Sequence, residues 1–315
     1  ENGLNDNHIT NTFQDRNGDV WLVNFGLSRV GFDTTLTYFS PKNKLKGSVT
    51  GVRRHNGTLY VRTALDLFDF VPKTTVFEYS KFVRNNVNEL GGGAQSILAF
   101  DDQIITTNNF SIKTTKNGIT EVISPLYRTN NTIRSKLNPT IIFSANNVYG
   151  LLANQYKNGK WSALKLAKQD FIKPYNIVEV APGKILAQTT EGIFVYDYDS
   201  SGQGNFTKLG LDKQFTKSGM LGVWTFNEST HVLIDSLWNH YRLNLEKYQA
   251  ELTNIKRDTS IVLKLDPLER NNKYTYNPDS KNGWTITETG LYKTAFDFDK
   301  GYSFTKYPFY KVPLS

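Results

Sequence analysis

Four histidines, His8, His55, His231 and His240, are the chain's only imidazoles. They show neither the i, i+4 spacing that puts two ligands on one helix face nor an H-x-E pairing, so a zinc or deaminase centre has no sequence support. Cysteine is absent, which removes disulfides, thiolate metal sites and thiol nucleophiles together. Serine–histidine–acid catalysis on a strained elbow would leave a G-x-S-x-G pattern, and there is none. Paired carboxylates could cleave a glycoside, but the one adjacent pair, Asp101-Asp102, falls in a short hairpin turn and reads as solvated. Arg53, Arg54, Arg84, Arg128 and Arg134 supply guanidiniums without a spacing that makes them converge. The expectation is a protein that is not an enzyme and uses no metal and no cofactor.

What remains is charge. The 315 residues carry 37 Lys and Arg against 29 Asp and Glu, a formal net charge of +8. A basic chain suits anionic partners, such as nucleic acid, acidic glycans, phosphate-bearing ligands or an anionic surface. The same lysines also fit a surface whose charge serves only solubility. No basic run is interleaved with aromatics, so nucleic acid is not expected. With 38% apolar and 13% aromatic residues the chain is of the folded class. No apolar stretch approaches the length of a membrane-spanning helix. The polar opening Glu1-Asn2-Gly3-Leu4-Asn5-Asp6 does not read as a signal peptide.

The elements that must position these groups are short strands. Runs rich in Val, Ile, Thr, Tyr and Phe recur between Asn-Gly and similar turn pairs, whereas helical patterning is confined to the short Asn244–Tyr248 segment. One unit repeats: an apolar strand, a short turn, then a second strand opening with Gly or a polar residue and apolar ones. It appears as Val20–Val23 then Gly26-Leu27, Leu59–Val61 then Leu67-Phe68, Ile104–Thr106 then Ser111-Ile112, and Ile141–Phe143 then Val148-Tyr149. It continues as Ile185–Ala187 then Gly192-Ile193, Val232–Ile234 then His240-Tyr241, and Trp284–Ile286 then Gly290-Leu291. The period is about 44 residues, the size of a four-stranded propeller blade. Seven such units use the whole chain. The expectation is an all-β, seven-bladed β-propeller of four-stranded antiparallel blades, one domain over 1–315. The blades are placed roughly at 1–40, 41–80, 81–124, 125–165, 166–208, 209–252 and 253–315.

The first unit resembles a two-component regulator propeller repeat. Gly3, Leu4, Asn7, Ile9, Asp15, Gly18, Trp21, Gly26, Leu27 and Arg29 match its pattern, and Val23-Asn24 stands where the usual Gly-Thr would be. The last unit is partial, with Asp279, Gly283-Trp284 and Gly290-Leu291; the others keep only the apolar skeleton. Read from the residues, the signature serves the fold. Asp15 and Gly18 close a tight hairpin, Trp21 fills the wedge between blades, and Gly26 permits the turn into the third strand. The resemblance implies more: a periplasmic sensor domain of a hybrid two-component or triple-tyrosine-motif receptor in the inner membrane. It would be followed by an immunoglobulin-like domain, a membrane helix and an output domain such as a kinase, none of which is in this chain. The chain opens partway into a repeat and so reads as an excised ectodomain.

On a propeller, the connections from blade to blade open on one face. Here they are residues 40–48, 81–93, 124–132, 165–175, 209–219 and 252–260. Each is net positive, and together they account for all of the chain's +8. The expected ligand site is therefore a basic rim of Lys42, Lys44, Lys46, Arg84, Arg128, Lys168, Lys173, Lys213 and Lys217. The expected function is non-catalytic sensing of a small-molecule or oligosaccharide ligand, preferably anionic, outside the cytoplasm. The full receptor would supply the downstream partners and a dimer contact. The alternatives are a glycan-active hydrolase or lyase on the same fold, favoured by converging carboxylates, and a protein-binding scaffold, favoured by exposed aromatics.

Overall fold

A computed structural model describes residues 11–15, 18–23, 26–31, 36–39, 43–63, 67–71, 76–79, 96–107, 111–116, 119–125, 129–166, 172–211, 220–227, 229–235, 239–255, 273–277, 282–287 and 290–307. Seven antiparallel sheets follow one another along the chain. The first holds β1 (Asn11–Gln14), β2 (Val20–Val23), β3 (Leu27–Val30) and β4 (Leu36–Phe39). The second holds β5 (Val49–His55), β6 (Thr58–Thr63), β7 (Leu67–Val71) and β8 (Val76–Tyr79). The third holds β9 (Ser96–Phe100), β10 (Gln103–Thr107), β11 (Ile112–Lys116) and β12 (Ile119–Ser124). The fourth holds β13 (Thr129–Arg134), β14 (Ile141–Asn146), β15 (Gly150–Lys157) and β16 (Lys160–Leu164). The fifth holds β17 (Asn176–Ala181), β18 (Lys184–Thr189), β19 (Gly192–Tyr198) and β20 (Gly204–Lys208).

The sixth sheet has five strands: the two-residue β21 (Gly210–Leu211), then β22 (Met220–Thr225), β23 (His231–Asp235), β24 (His240–Asn244) and β25 (Gln249–Leu252), with β21 alongside β25. The seventh holds β26 (Lys273–Asn277), β27 (Asn282–Thr287), β28 (Gly290–Asp297) and β29 (Gly301–Tyr307). This is a seven-bladed β-propeller, all but one blade four-stranded. Among the described residues there is no α-helix, and Asn244–Tyr248 forms the β24–β25 turn. By packing, the chain divides into Glu1–Val52 with Leu211–Ser315, and Arg53–Gly210; the two units are described separately below.

Within a blade, burial follows strand position. The second strands β2, β14 and β23 are buried at every residue. β14 is covered on one face by the third sheet and on the other by the fifth, and that double cover is why it reads as a continuous apolar run instead of an alternating one. The fourth strands β12, β16, β20 and β25 are largely open to solvent; β12 is exposed over its first four residues. The core therefore lies between sheets. In Arg53–Gly210, Tyr60, Leu67 and Ile104 join the second and third sheets. Leu98, Phe100, Ile105, Ile112 and Ile142 join the third and fourth. Ile141, Phe143, Ile177, Ile185, Tyr196 and Tyr198 join the fourth and fifth. In the other unit, Phe226, Val232, Ile234 and Phe296 join the sixth and seventh. Each such large side chain contributes about 1.5–3 kcal/mol by leaving water.

The first hairpin shows how the Asp-x-x-Gly-x-x-Trp signature works. Gly18 takes a φ of 87°, which a side chain would resist. Asp15 accepts the Asp19 N–H on one oxygen at 3.2 Å and the Trp21 indole N–H on the other at 3.0 Å. Trp21 is 1% exposed and stacks on Phe39 with ring centroids 5.5 Å apart. Asp19 accepts from Arg29 Nε at 2.7 Å. The aspartate thus binds its own turn and also the tryptophan six residues on. Gly26 lies at the bend just before β3, where a Cβ would meet the Tyr38 hydroxyl at 2.8 Å, so the glycine leaves room for that ring. The fourth repeat marker moves. The strand opens at Gly150, because the Asn146 carboxamide accepts the Val148 and Tyr149 N–H groups at 2.9 and 2.8 Å and holds both residues in the preceding turn.

Candidate functional site

In an antiparallel four-stranded sheet, the first-to-second and third-to-fourth turns lie at one end. The second-to-third turn and the exit to the next sheet lie at the other. In Arg53–Gly210 the first strands β9, β13 and β17 adjoin in series, so their sheets share a turn end and a connection end.

The turn end is tied from sheet to sheet. Asp101, in the two-residue β9–β10 turn, accepts from Arg134 at 2.8 Å, and Arg134 also lies 4.2 Å over the Phe100 ring and bonds the Pro139 carbonyl. Asp102 pairs with Lys116 at 2.6 Å. Between the fourth and fifth sheets a donor chain is closed: Asn138 N–H to Ser135 Oγ at 2.9 Å, Ser135 Oγ to Tyr198 Oη at 2.7 Å, and Tyr198 Oη to Glu179 Oε1 at 2.5 Å. Glu179 also accepts the Lys136 and Gly183 N–H groups, and Asn138 reaches the Ser200 carbonyl. Burial raises the Glu179 carboxyl above its ordinary range, and burial raises the Tyr198 phenol as well.

A serine, a tyrosine and a raised carboxylate in one chain are the strongest catalytic-looking group among the described residues. Their geometry serves the seam instead. Ser135 is 2% and Tyr198 5% exposed, and every proton in the chain already points to an acceptor. Arg134 likewise belongs to the turn and does not join a guanidinium cluster. Among the described residues no group of three His, Asp or Glu side chains could hold a metal ion.

The connection end presents side chains outward. In the β16–β17 connection Lys173 is exposed, Pro174 buried and Tyr175 exposed; the Tyr175 N–H bonds the Gln188 carbonyl at 2.9 Å. Burial of its ring raises the Tyr175 phenol. In the β14–β15 turn Val148 is 38% and Tyr149 57% exposed. The β4–β5 connection, in the other unit, is built like the first: Lys44 exposed with φ 63°, Leu45 buried, Lys46 exposed. A buried anchor between two outward residues fixes where those residues project. Of the nine rim residues read from the sequence, Lys44, Lys46 and Lys173 are exposed on connections. Lys42, Arg84, Arg128, Lys168, Lys213 and Lys217 lie outside the described residues. Sequence reasoning missed Tyr149, taking it for a strand residue, although the Asn146-Asn147 pair before it is a turn signal.

No known protein family and no curated protein matches the chain. Many solved structures resemble its fold. The extracellular domain of a candidate hybrid two-component system from Bacteroides thetaiotaomicron superimposes with a TM-score of 0.62 at 13% identity, over 91% of this chain and 39% of that one. PorZ, a surface component of the type-IX secretion system of Porphyromonas gingivalis, gives 0.61 at 12% identity, over 100% and 39%. Virginiamycin B lyase from Staphylococcus aureus gives 0.58 at 12% identity, over 91% and 94%. At these identities the likeness shows the propeller fold. The chain spans about two fifths of the length of the first two.

Proposed function

We propose that this chain is a ligand-sensing propeller of an extracytoplasmic receptor, and that it binds an anionic small molecule or oligosaccharide through its basic sheet-to-sheet connections without transforming it. The observation that carries the reading is the repeated exposed–buried–exposed build of Lys44-Leu45-Lys46 and Lys173-Pro174-Tyr175. Loops that only collect solubilising charge need no apolar anchor, whereas loops that position charge do. Similarity to an extracellular two-component domain supports the sensing role. A periplasmic location, downstream immunoglobulin-like and membrane parts, and a dimer formed through the whole receptor belong to the same proposal.

Single exposed lysines bind weakly, and salt screens them beyond about 8 Å at physiological strength. Binding should therefore be multivalent and salt-sensitive. The test is to titrate a panel of acidic oligosaccharides against wild type and the Lys42/Lys44/Lys46→Gln variant, at low and high salt. The proposal expects binding by wild type that weakens with salt and with the substitutions. Equal behaviour of the two proteins, or no binding at low salt, overturns it.

A second reading has its own observation. Tyr149, Tyr175 and Val148 are exposed large side chains at the connection end of Arg53–Gly210, and exposed aromatics suit a protein partner. Binding that is insensitive to salt but lost in Tyr149→Ser would favour that scaffold role. The enzyme reading is supported by the fold it shares with a lyase; turnover of any panel member would favour it.

A further inference from the structure

His55 closes β5 and is 7% exposed. Its imidazole hydrogen-bonds the backbone of Asp102, across the seam in the β9–β10 turn of the next sheet. Its ring lies against Tyr60, with centroids 6.5 Å apart. The second ring nitrogen, Nε2, is buried without a hydrogen-bond partner. The charged groups facing the ring are Asp102, Asp101 and Arg53. Both carboxylates already have cations, Lys116 on Asp102 and Arg134 on Asp101; Arg53 is a like charge. Asp102 and Asp101 would attract a proton on Nε2, but both are open to water and already paired, and the proton would create a buried N–H with no acceptor. A buried unpaired donor is costly, more so when charged.

We propose that His55 is an acid-sensitive latch on the seam between the second and third sheets: it holds the seam while neutral, and a proton placed on its buried, partnerless Nε2 loosens it. Desolvation, the leading influence on the ring, favours its neutral form and lowers its pKa below 6.5. The sign follows. The latch's contribution is fully present above about pH 6.5 and is lost as pH falls from there through the lower folded-state value. The proposal stands apart from the ligand reading, since His55 lies at the turn end and binds nothing on the connections. For a protein outside the cytoplasm it would couple the propeller's rigidity to the acidity of its surroundings.

The test is hydrogen exchange at about pH 7.5 and about pH 5, corrected for intrinsic rates, on wild type and His55→Asn, whose carboxamide can still donate to the Asp102 backbone but does not titrate in this range. Wild type should lose protection in 52–60 and 98–106 on acidification, by about tenfold for each unit that the folded pKa lies below 6.5. The variant should not. The same acid-induced loss in both proteins overturns the proposal. If the variant does not fold, the NMR titration of the wild-type imidazole decides. A midpoint below 6.5, accompanied by loss of protection in those segments, supports the latch; a midpoint at or above 6.5, or protection that stays unchanged, overturns it.

Discussion

The two ends of the sheets in Arg53–Gly210 use similar residue types for opposite purposes. At the turn end, arginine, aspartate, glutamate and tyrosine face each other across seams. Arg134 bonds Asp101, and the Tyr198 hydroxyl rests on Glu179. At the connection end, Lys173 and Tyr175 flank a buried proline and face solvent, as does Tyr149. Charge that is answered by a neighbouring sheet stabilises the fold, whereas charge left in water is available to a ligand. Composition alone does not distinguish the two.

The contrast predicts that turn-end substitutions change stability and connection-end substitutions change binding. The largest effect is expected at the first turn. Trp21→Ala should lower the unfolding free energy by about 3–5 kcal/mol in urea titrations, as large aromatic deletions in cores do. A loss under about 1 kcal/mol would remove the tryptophan from the wedge. Tyr198→Phe, which takes the hydroxyl from between Ser135 and Glu179, should cost about 1–3 kcal/mol by the same measurement.

Glu179→Gln sharpens the comparison through pH. Burial raises the folded carboxyl above its unfolded value of 4.5. Wild type therefore gains stability from this group as pH falls through the folded pKa, and that gain is complete below the unfolded value. The variant lacks this gain, so its deficit against wild type should grow from pH 7 to pH 4 in parallel denaturation curves. Arg134→Ala should cost about 1 kcal/mol or less, since its partner Asp101 is open to water and exposed ion pairs contribute little. The smallest change is expected from Lys44→Gln with Lys46→Gln: within about 0.5 kcal/mol in stability, although ligand affinity falls.

The sequence made the blades legible because their second strands, buried on both faces, leave apolar runs such as Ile141–Phe143 at a steady period. The Asp15–Gly18 turn was legible from local chemistry. Its bond to the Trp21 indole was not, since nothing in the spacing says which way a carboxylate faces. The seams were illegible for a plainer reason. Arg134 meets Asp101 across 33 positions and Ser135 meets Tyr198 across 63, in blades whose relative placement no local pattern encodes. The connection charge was visible as composition, but the buried anchors Leu45 and Pro174, which hold the flanking side chains outward, appear only in the fold.

The separation of the two ends is tested most directly by hydrogen-exchange footprinting of wild type with and without a saturating acidic oligosaccharide at low salt. Within Arg53–Gly210 the account predicts protection confined to the connection end, at 147–149 and 172–175, with the turns at 56–57, 101–102 and 135–140 unchanged. Protection at those turns, or no ligand-dependent change at the connections, would contradict it.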